Sequence, residues 1–404
     1  MTIEGDYKLT LKALFTTAIR FNLPVAVWRL PHSSEVKLCV SLRGVQTLAN
    51  VPQLEGGLSG FAFYPFRVTP NHPATFIKAD MTFSSLSAKL KFNFKLSENP
   101  EYILLVNRIQ DYFLKIRNAA IASSWHVNRH PLPPEIIKSQ FVEAVQKGIN
   151  NIADGNFEKV VLSRPKAFAL DADFDVMQAF CQLQNNYQSA FISLVSIPEI
   201  GTWVGASPEL LVEVDKNKIF RTVALAGTQK LSPDINPANA MWRQKEIEEQ
   251  SMVERYIINC LKKIRLRDYN EVGPRTVVAG NLMHLRTDFS VDINKLPFPH
   301  LGTDMLTLLH PTSAVCGMPK EPATAFILEN ENYDRAYYSG FLGPVQVDAA
   351  SHIFVNLRCM QLFEDTALLY AGAGITAESE PEKEWQETKM KMETMREVIH
   401  KEAK

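Results

Sequence analysis

Five groups of residues combine types and spacings suited to chemistry. Lys159 opens the β-branched run Lys159–Ser163 (KVVLS). A lysine drawn toward a core is pushed toward its neutral form and can act as a base, although the usual reading of one at a strand end is that it snorkels to solvent. Glu209 lies in Gly205–Leu211 (GASPELL), between a proline and two leucines, after an apolar run containing Trp203. Such a setting favours the neutral carboxyl and suits a general acid, with a solvated turn glutamate as the plain alternative. Glu384, Glu387 and Lys391 fall at i, i+3 and i+7, which puts two carboxylates and an ammonium on one helix face. Glu246 and Glu249 are also three apart, within an acidic stretch that includes Glu248 and Glu254. Mg²⁺ takes a few carboxylates together with waters and ligand oxygens, whereas a salt-bridged, solvated helix face carries the same residues. Ala371–Ile375 (AGAGI) follows an apolar run. Its small residues would let backbone N–H groups approach an anion, and a plain turn has the same signature.

The elements that must position these groups read as follows. Residues 7–20 have the period of an amphipathic helix. Short β-like runs follow at Pro24–Arg29, Val36–Ser41 and Gly60–Val68, and Asp80–Phe94 alternates like a solvent-facing strand or hairpin. Residues 98–122 return to a helical pattern, and His130–Pro134 (HPLPP) reads as a linker with a boundary near residue 135. Glu135–Asn151 is helical and closes on the Asp154-Gly155 turn signal. Strands are expected at Lys159–Ser163, Phe191–Ser196, Thr202–Val204, Leu210–Val214, Arg275–Ala279, His352–Leu357 and Ala367–Ala371. Ala238–Arg265 and Glu380–His400 read as charged helices. Strands and helices mix without the steady alternation of a parallel sheet, which predicts an α+β fold with mostly antiparallel sheets.

A chain of 404 residues can bury a large core without disulfide or metal staples. Lys+Arg is 43 and Asp+Glu is 44, so no basic excess points to a nucleic acid and no polybasic block to a membrane. An anionic ligand must then be held by a local site. Cys39, Cys181, Cys260, Cys316 and Cys359 are scattered, which predicts free thiols in a reducing compartment. No apolar run reaches the length of a membrane span and the N-terminus lacks the apolar core of a signal peptide, so the cytoplasm is the expected location.

In this order the motifs resemble the chorismate-utilising enzymes, the family of isochorismate, salicylate, anthranilate and aminodeoxychorismate synthases. The matching segments are Phe157–Arg164 (FEKVVLSR), Gly205–Leu211, Leu225–Thr228 (LAGT), Lys245–Gln250 (KEIEEQ), His284-Leu285, His310–Pro319 (HPTSAVCGMP), Arg335–Gly340 (RAYYSG), Leu357-Arg358-Cys359, Ala371–Ile375 and Glu384–Lys391. An ordered set spread over residues 135–400 is far more specific than any one motif. The resemblance implies an α+β fold like that of anthranilate synthase component I, a large antiparallel two-sheet core flanked by helices. Residues 1–134 are then a variable N-terminal portion of that fold, and 135–404 the chorismate-binding catalytic region.

Within the family the resemblance is to the isochorismate synthases of menaquinone and siderophore synthesis. Lys159 stands where those members activate water, and Ala226 where aminodeoxychorismate members carry a nucleophilic lysine. His310-Pro311-Thr312 also looks like the isochorismate members. Nothing resembles a glutamine amidotransferase, so water is the implied nucleophile and no amidotransferase subunit is expected. The resemblance further implies Mg²⁺ held by Glu249 and Glu387, with Glu246 and Glu384 acting through water, and Glu209 as the acid. Arg358 and the amides of Gly372 and Gly374 would hold the enolpyruvyl carboxylate, with Lys391 supporting a carboxylate nearby. Ala226, Gly227 and Thr228 would line the ring, and His284 would sit on its C4 side. Gln250 and Glu246 depart from the pattern, standing where relatives often have His and Asp. Two other activities suit the same residues: a salicylate synthase, which goes on to expel pyruvate, and a non-catalytic chorismate-binding protein, which has no need of an acid/base pair. The downstream pathway and the oligomeric state are not legible in the sequence.

Overall fold

A computed structural model of the chain describes residues 5–93, 100–117, 119, 123–231, 236–279 and 282–399. Two antiparallel sheets form its centre. The first has ten strands, in the order Gly317–Met318 (β15), Lys159–Ala169 (β8), Thr366–Ile375 (β19), Cys359–Leu362 (β18), Gly201–Ser207 (β10), Phe191–Ile197 (β9), Val25–Arg29 (β1), Val36–Val40 (β2), Met81–Ser84 (β6) and Lys89–Phe92 (β7). The second has nine: Asn270–Ala279 (β13), Leu282–Asp292 (β14), Ile219–Lys230 (β12), Leu210–Val214 (β11), Ser351–Val355 (β17), Phe341–Val345 (β16), Gly60–Tyr64 (β4), Thr75–Lys78 (β5) and Gln46–Thr47 (β3). Eight helices accompany them among the described residues: Tyr7–Arg20 (α1), Pro100–Ile116 (α2), Lys138–Ala153 (α3), Val176–Asn186 (α4), Gln244–Lys263 (α5), Leu301–Leu309 (α6), Lys320–Asn330 (α7) and Pro381–Arg396 (α8). Both sheets draw strands from either side of residue 135.

Side-chain alternation explains the layering. Ala26 and Trp28 of β1, Val195 and Ile197 of β9 and Trp203 of β10 join an inner cluster with Phe61, Phe63 and Phe354 of the second sheet. Their neighbours Val25, Val27, Ile192, Leu194 and Val204 belong to an outer cluster with α1 and α4. Strands covered on both faces read as unbroken apolar runs rather than alternating ones. The inner cluster is aromatic: Phe63 stacks on Tyr337 at 4.0 Å, Phe191 on Phe354 at 4.2 Å and Trp203 on Tyr370 at 5.3 Å. Truncating a buried aromatic in such a core costs about 3–5 kcal/mol.

Several expectations need adjusting. The strand at Lys159 does not stop at Ser163 but runs to Ala169, because β19 pairs with it throughout, from Ile375↔Val160 to Thr366↔Ala169. That pairing also overturns the turn reading of Ala371–Ile375, whose residues are the end of β19. The helix expected from Ala238 begins at Gln244, after a short 3-10 turn at Pro237–Asn239. The helix expected over 98–122 spans Pro100–Ile116; residues 98, 99, 118 and 120–122 lie outside the described residues, as do residues 94 and 400. Pro381 at the first position of α8 is pre-set for helix entry. All five cysteines are free. Among the described residues no helix is long and apolar enough to cross a membrane.

Candidate active site

The chain steps between the sheets several times, and two of these links, lying side by side, each carry a candidate residue. Ser207 ends β10 in the first sheet and Leu210 begins β11 in the second, with Glu209 on the link. Val355 ends β17 and Cys359 begins β18, with Arg358 on the return link. The two links are tied together: Ala206 N–H donates to the Arg358 carbonyl at 2.9 Å, and Val355 N–H to the Glu209 carbonyl at 3.0 Å. Beside this seam lies a cavity lined by Glu209, Ala226, Gly227, Thr228, Glu249, His284, Arg358, Gly372, Gly374, Glu387 and Lys391, among others.

Lys159 is the first residue of β8 and is 0% exposed, which removes the snorkelling alternative. Its Nζ donates to Glu249 Oε1 at 2.9 Å. Val160 and Leu162 pack outward against α3 and α7, so the period of two turns Lys159 and Val161 to the cavity side. Glu209 is 7% exposed. Burial pushes its carboxyl up to about 7, against the opposing pull of Lys159, Thr312, Lys391 and Arg358. A carboxyl there is substantially protonated near neutral pH and suits a proton donor.

Gly374 owes its identity to this pair. A Cβ there would stand 2.7 Å from Glu249 Oε1 and 3.1 Å from Lys159 Cε. The glycine is clearance for the two side chains. Gly374→Ala should therefore displace Lys159 or Glu249 and lower kcat by at least about tenfold, with a fold kept intact by the unchanged β8–β19 ladder. Near-normal turnover of that variant, measured beside its circular dichroism, would refute the tight fit. Gly372 has a different position. Its carbonyl accepts from Lys391 Nζ at 3.0 Å, on the edge of β19 away from β8. In an antiparallel strand the N–H and carbonyl of one residue point the same way, so the Gly372 amide also faces that open edge.

On the second sheet, β12 bulges at Gly227, where the register with β14 slips between Ala226 and Thr228 and φ is +66°. Such a bulge re-aims its neighbours. Gln250, buried on α5, fixes it: its Oε1 accepts from Ala226 N–H at 2.9 Å, and its Nε2 reaches the Ala224 carbonyl at 3.3 Å. His284 Nδ1 lies 3.0 Å from the Gly227 carbonyl, which can only accept, so Nδ1 carries the proton and Nε2 is left as an acceptor. Burial holds His284 well below the usual histidine range, at about 4, so the ring is neutral. Arg358, with φ +46°, has no carboxylate within ion-pair distance among the described residues, and burial lowers its pKa. A guanidinium so placed is a fork for an incoming carboxylate.

Three of the four candidate metal carboxylates are each matched by a lysine: Lys159 to Glu249 at 2.9 Å, Lys245 to Glu384 at 2.7 Å and Lys391 to Glu387 at 2.6 Å. Burial pulls the Lys245 pKa down, but the charges of Glu384, Glu387 and Glu249 more than offset this and hold it above the ordinary lysine value. Burial raises the Glu384 carboxyl, and the neighbouring Glu387 adds to the rise. Among the described residues no three potential metal ligands come together, but a hard divalent cation needs only one or two protein carboxylates beside water and substrate oxygens. Glu249 and Glu387 are the two that face the cavity. Glu246 is turned elsewhere: its carboxylate accepts from Arg243 N–H at 2.9 Å and caps α5, while its Cβ packs 3.1 Å from where a Gly227 Cβ would be.

Several residues in or beside the cavity have no individual role assigned from the sequence. Tyr338 and Tyr370 wall the cavity and stack on each other at 5.3 Å. Thr312 Oγ1 stands 3.5 Å from Glu209, and Lys245 comes from the acidic stretch of α5. Tyr338, Thr312 and Lys245 fall inside segments quoted above, so the signal was there at motif level. Tyr370 lies in an apolar strand and gives none.

A two-sheet antiparallel core with a lysine- and carboxylate-lined cavity at its seam defines a class, and comparisons with known proteins identify it. The family model described as chorismate binding enzyme matches residues 59–400. Isochorismate synthase EntC of Escherichia coli (strain K12) is 30% identical over 278 residues, covering 68% of this chain and 69% of that protein. Isochorismate synthase DhbC of Bacillus subtilis (strain 168) is 30% identical over 289 residues, covering 67% and 69%. Among solved structures, MenF, the menaquinone-specific isochorismate synthase of Escherichia coli, gives a TM-score of 0.76 at 20% identity over 98% of this chain and 92% of that one. Anthranilate synthase component I of Streptococcus pneumoniae gives 0.63 at 20% identity over 92% and 89%. The chain belongs to the chorismate binding enzyme family. The expected α+β fold with its antiparallel two-sheet core is borne out.

Proposed function

We propose that the protein is an isochorismate synthase, converting chorismate to isochorismate by adding water at C2 and losing the C4 hydroxyl. The observation that carries this reading is a pair of buried groups at one cavity: Lys159, bonded to the lining residue Glu249, and Glu209 at the seam, its carboxyl pushed up to about 7 by burial. Lys159 takes a proton from water as its oxygen bonds C2. The ring double bond shifts, the C4–oxygen bond breaks, and Glu209 delivers its proton to the departing hydroxyl, which leaves as water. Atoms balance, and the product is an isomer. Ala226 supplies no amine nucleophile, which fits water as the attacking group. Arg358 and the open-edge amides of β19 hold the enolpyruvyl carboxylate, with Lys391 beside them. Neutral His284 offers Nε2 to a hydroxyl of the substrate. Mg²⁺ on Glu249 and Glu387 would supply Lewis-acid polarisation of the ring carboxylate and offset the clustered negative charge.

The test is incubation of the purified protein with chorismate and Mg²⁺ and chromatography of the products. Isochorismate alone is expected; salicylate with pyruvate, or no turnover, would overturn the reading. The acid also predicts a pH profile. Glu209 must be protonated to donate, and its pKa is raised to about 7 by burial, so kcat should fall as pH rises through about 7. Glu209→Gln should lower kcat by roughly 10²–10⁴-fold and remove that alkaline limb. A flat profile from about pH 6 to 9 would place the acid elsewhere.

A further inference from the structure

A second pocket, of about 420 Å³, lies on the opposite face of β8 from Lys159. Arg164, Lys166 and Phe168 alternate along its floor. Its walls are the stretch Ile136–Lys138 leading into α3 and one stripe of α8 that includes Trp385, Lys389 and Met392. Five basic side chains line it against two carboxylates. Most of this charge is spoken for: Lys166 is paired with Glu135, Lys138 with Glu382 and Arg396 with Glu393.

Arg164 is the exception. It is 2% exposed, and among the described residues no carboxylate lies within ion-pair distance of it. Its Nε donates to Thr388 Oγ1 at 2.8 Å, and its guanidinium lies 3.8 Å over the Trp385 ring. Glu135, whose charge reaches Arg164, is held by Lys166. Lys389 is likewise without an ion-pair partner there and stands 5.9 Å from the same indole. A buried guanidinium left without an anion is unfavourable, and its planar fork matches a carboxylate. Trp385, Phe168, Ile136 and Met392 supply apolar walls beside it. The volume falls in the range of small-molecule sites.

We propose that this pocket binds a planar aromatic carboxylate, its carboxylate on Arg164 and Lys389 and its ring against Trp385 and Phe168. The site is separate from the catalytic cavity, and its occupancy does not depend on the reaction proposed above. The two are joined by α8, whose Glu387 and Lys391 stripe faces the cavity while its Trp385 and Lys389 stripe faces the pocket.

The probe is 4-fluorobenzoate, followed by ¹⁹F NMR titration of the whole chain. Saturable binding should weaken on the order of tenfold in Arg164→Gln, the loss of one charge-assisted contact, and severalfold in Lys389→Gln. Lys389 is exposed, so its variant reports on the site even where Arg164→Gln fails to fold. Lys391→Ala, in the catalytic cavity, should leave the affinity unchanged. Binding lost in Lys391→Ala but kept in Lys389→Gln places the probe in the catalytic cavity and overturns the proposal. So does the absence of saturable binding, or displacement by equimolar inorganic phosphate, which would make the pocket a simple anion site.

Discussion

Lys159→Ala should lower kcat for isochorismate formation by roughly 10²–10⁴-fold, the usual contribution of a positioned acid or base, while chorismate still binds. The separation is expected because the groups assigned to the carboxylates, Arg358, Lys391 and the Gly372 edge, come from other elements. Removing Lys159 also strips Glu249 of its partner, and breaking one side of a buried pair is destabilising by about 3–5 kcal/mol in the worst case. Lys159→Gln keeps most of the volume and a donor for Glu249, but no base. If both variants bind chorismate, melt cooperatively and remain slow, the role is chemical. Normal turnover in either would mean that water is activated by another group.

Chelation should have an effect as large. EDTA should abolish turnover and Mg²⁺ should restore it, because the ion is proposed to polarise the ring carboxylate. Glu249→Gln should raise the Mg²⁺ concentration needed for half-maximal rate by at least about tenfold, since one charged ligand of the hard ion is lost. Glu246→Gln should leave it nearly unchanged, because that carboxylate caps α5. Full activity after exhaustive chelation would remove the metal from the mechanism and leave the three lysine–glutamate pairs as a purely structural network.

Local chemistry made part of this site readable. Lys159, Glu209 and Glu249 can be picked out by residue type and neighbours, and the spacing of Glu384, Glu387 and Lys391 fixes a shared helix face, but each has a plainer reading and only the ordered motif set ties them to one site. What sequence alone does not carry is the pairing across long separations. Lys159 and Glu249 are 90 positions apart and meet only because α5 packs on β12 beside the cavity. Gly374 has the local look of a turn, and its actual duty depends on side chains from β8 and α5. Gln250 shows in the sequence only as a departure from pattern; its grip on the Ala226 bulge requires the neighbouring strand. Helices α4, α6 and α7 have no counterpart in the sequence analysis. Each is 9 to 11 residues long, and so short a segment gives little periodicity to distinguish helix from loop.

The two tied links at the seam have a mechanical consequence. Glu209 rides on one of them, whereas Lys159 is fixed to the first sheet alone. If the two act as the proposed acid and base, their separation depends on how far apart the sheets stand, and the aromatic filling between the sheets is the spacer. Thinning that filling, for instance by Phe354→Leu opposite Phe191, should change the reaction rate more than the modest loss in melting temperature would suggest. On the proposed mechanism, the hydrophobic core would then work as a gauge block for proton transfer.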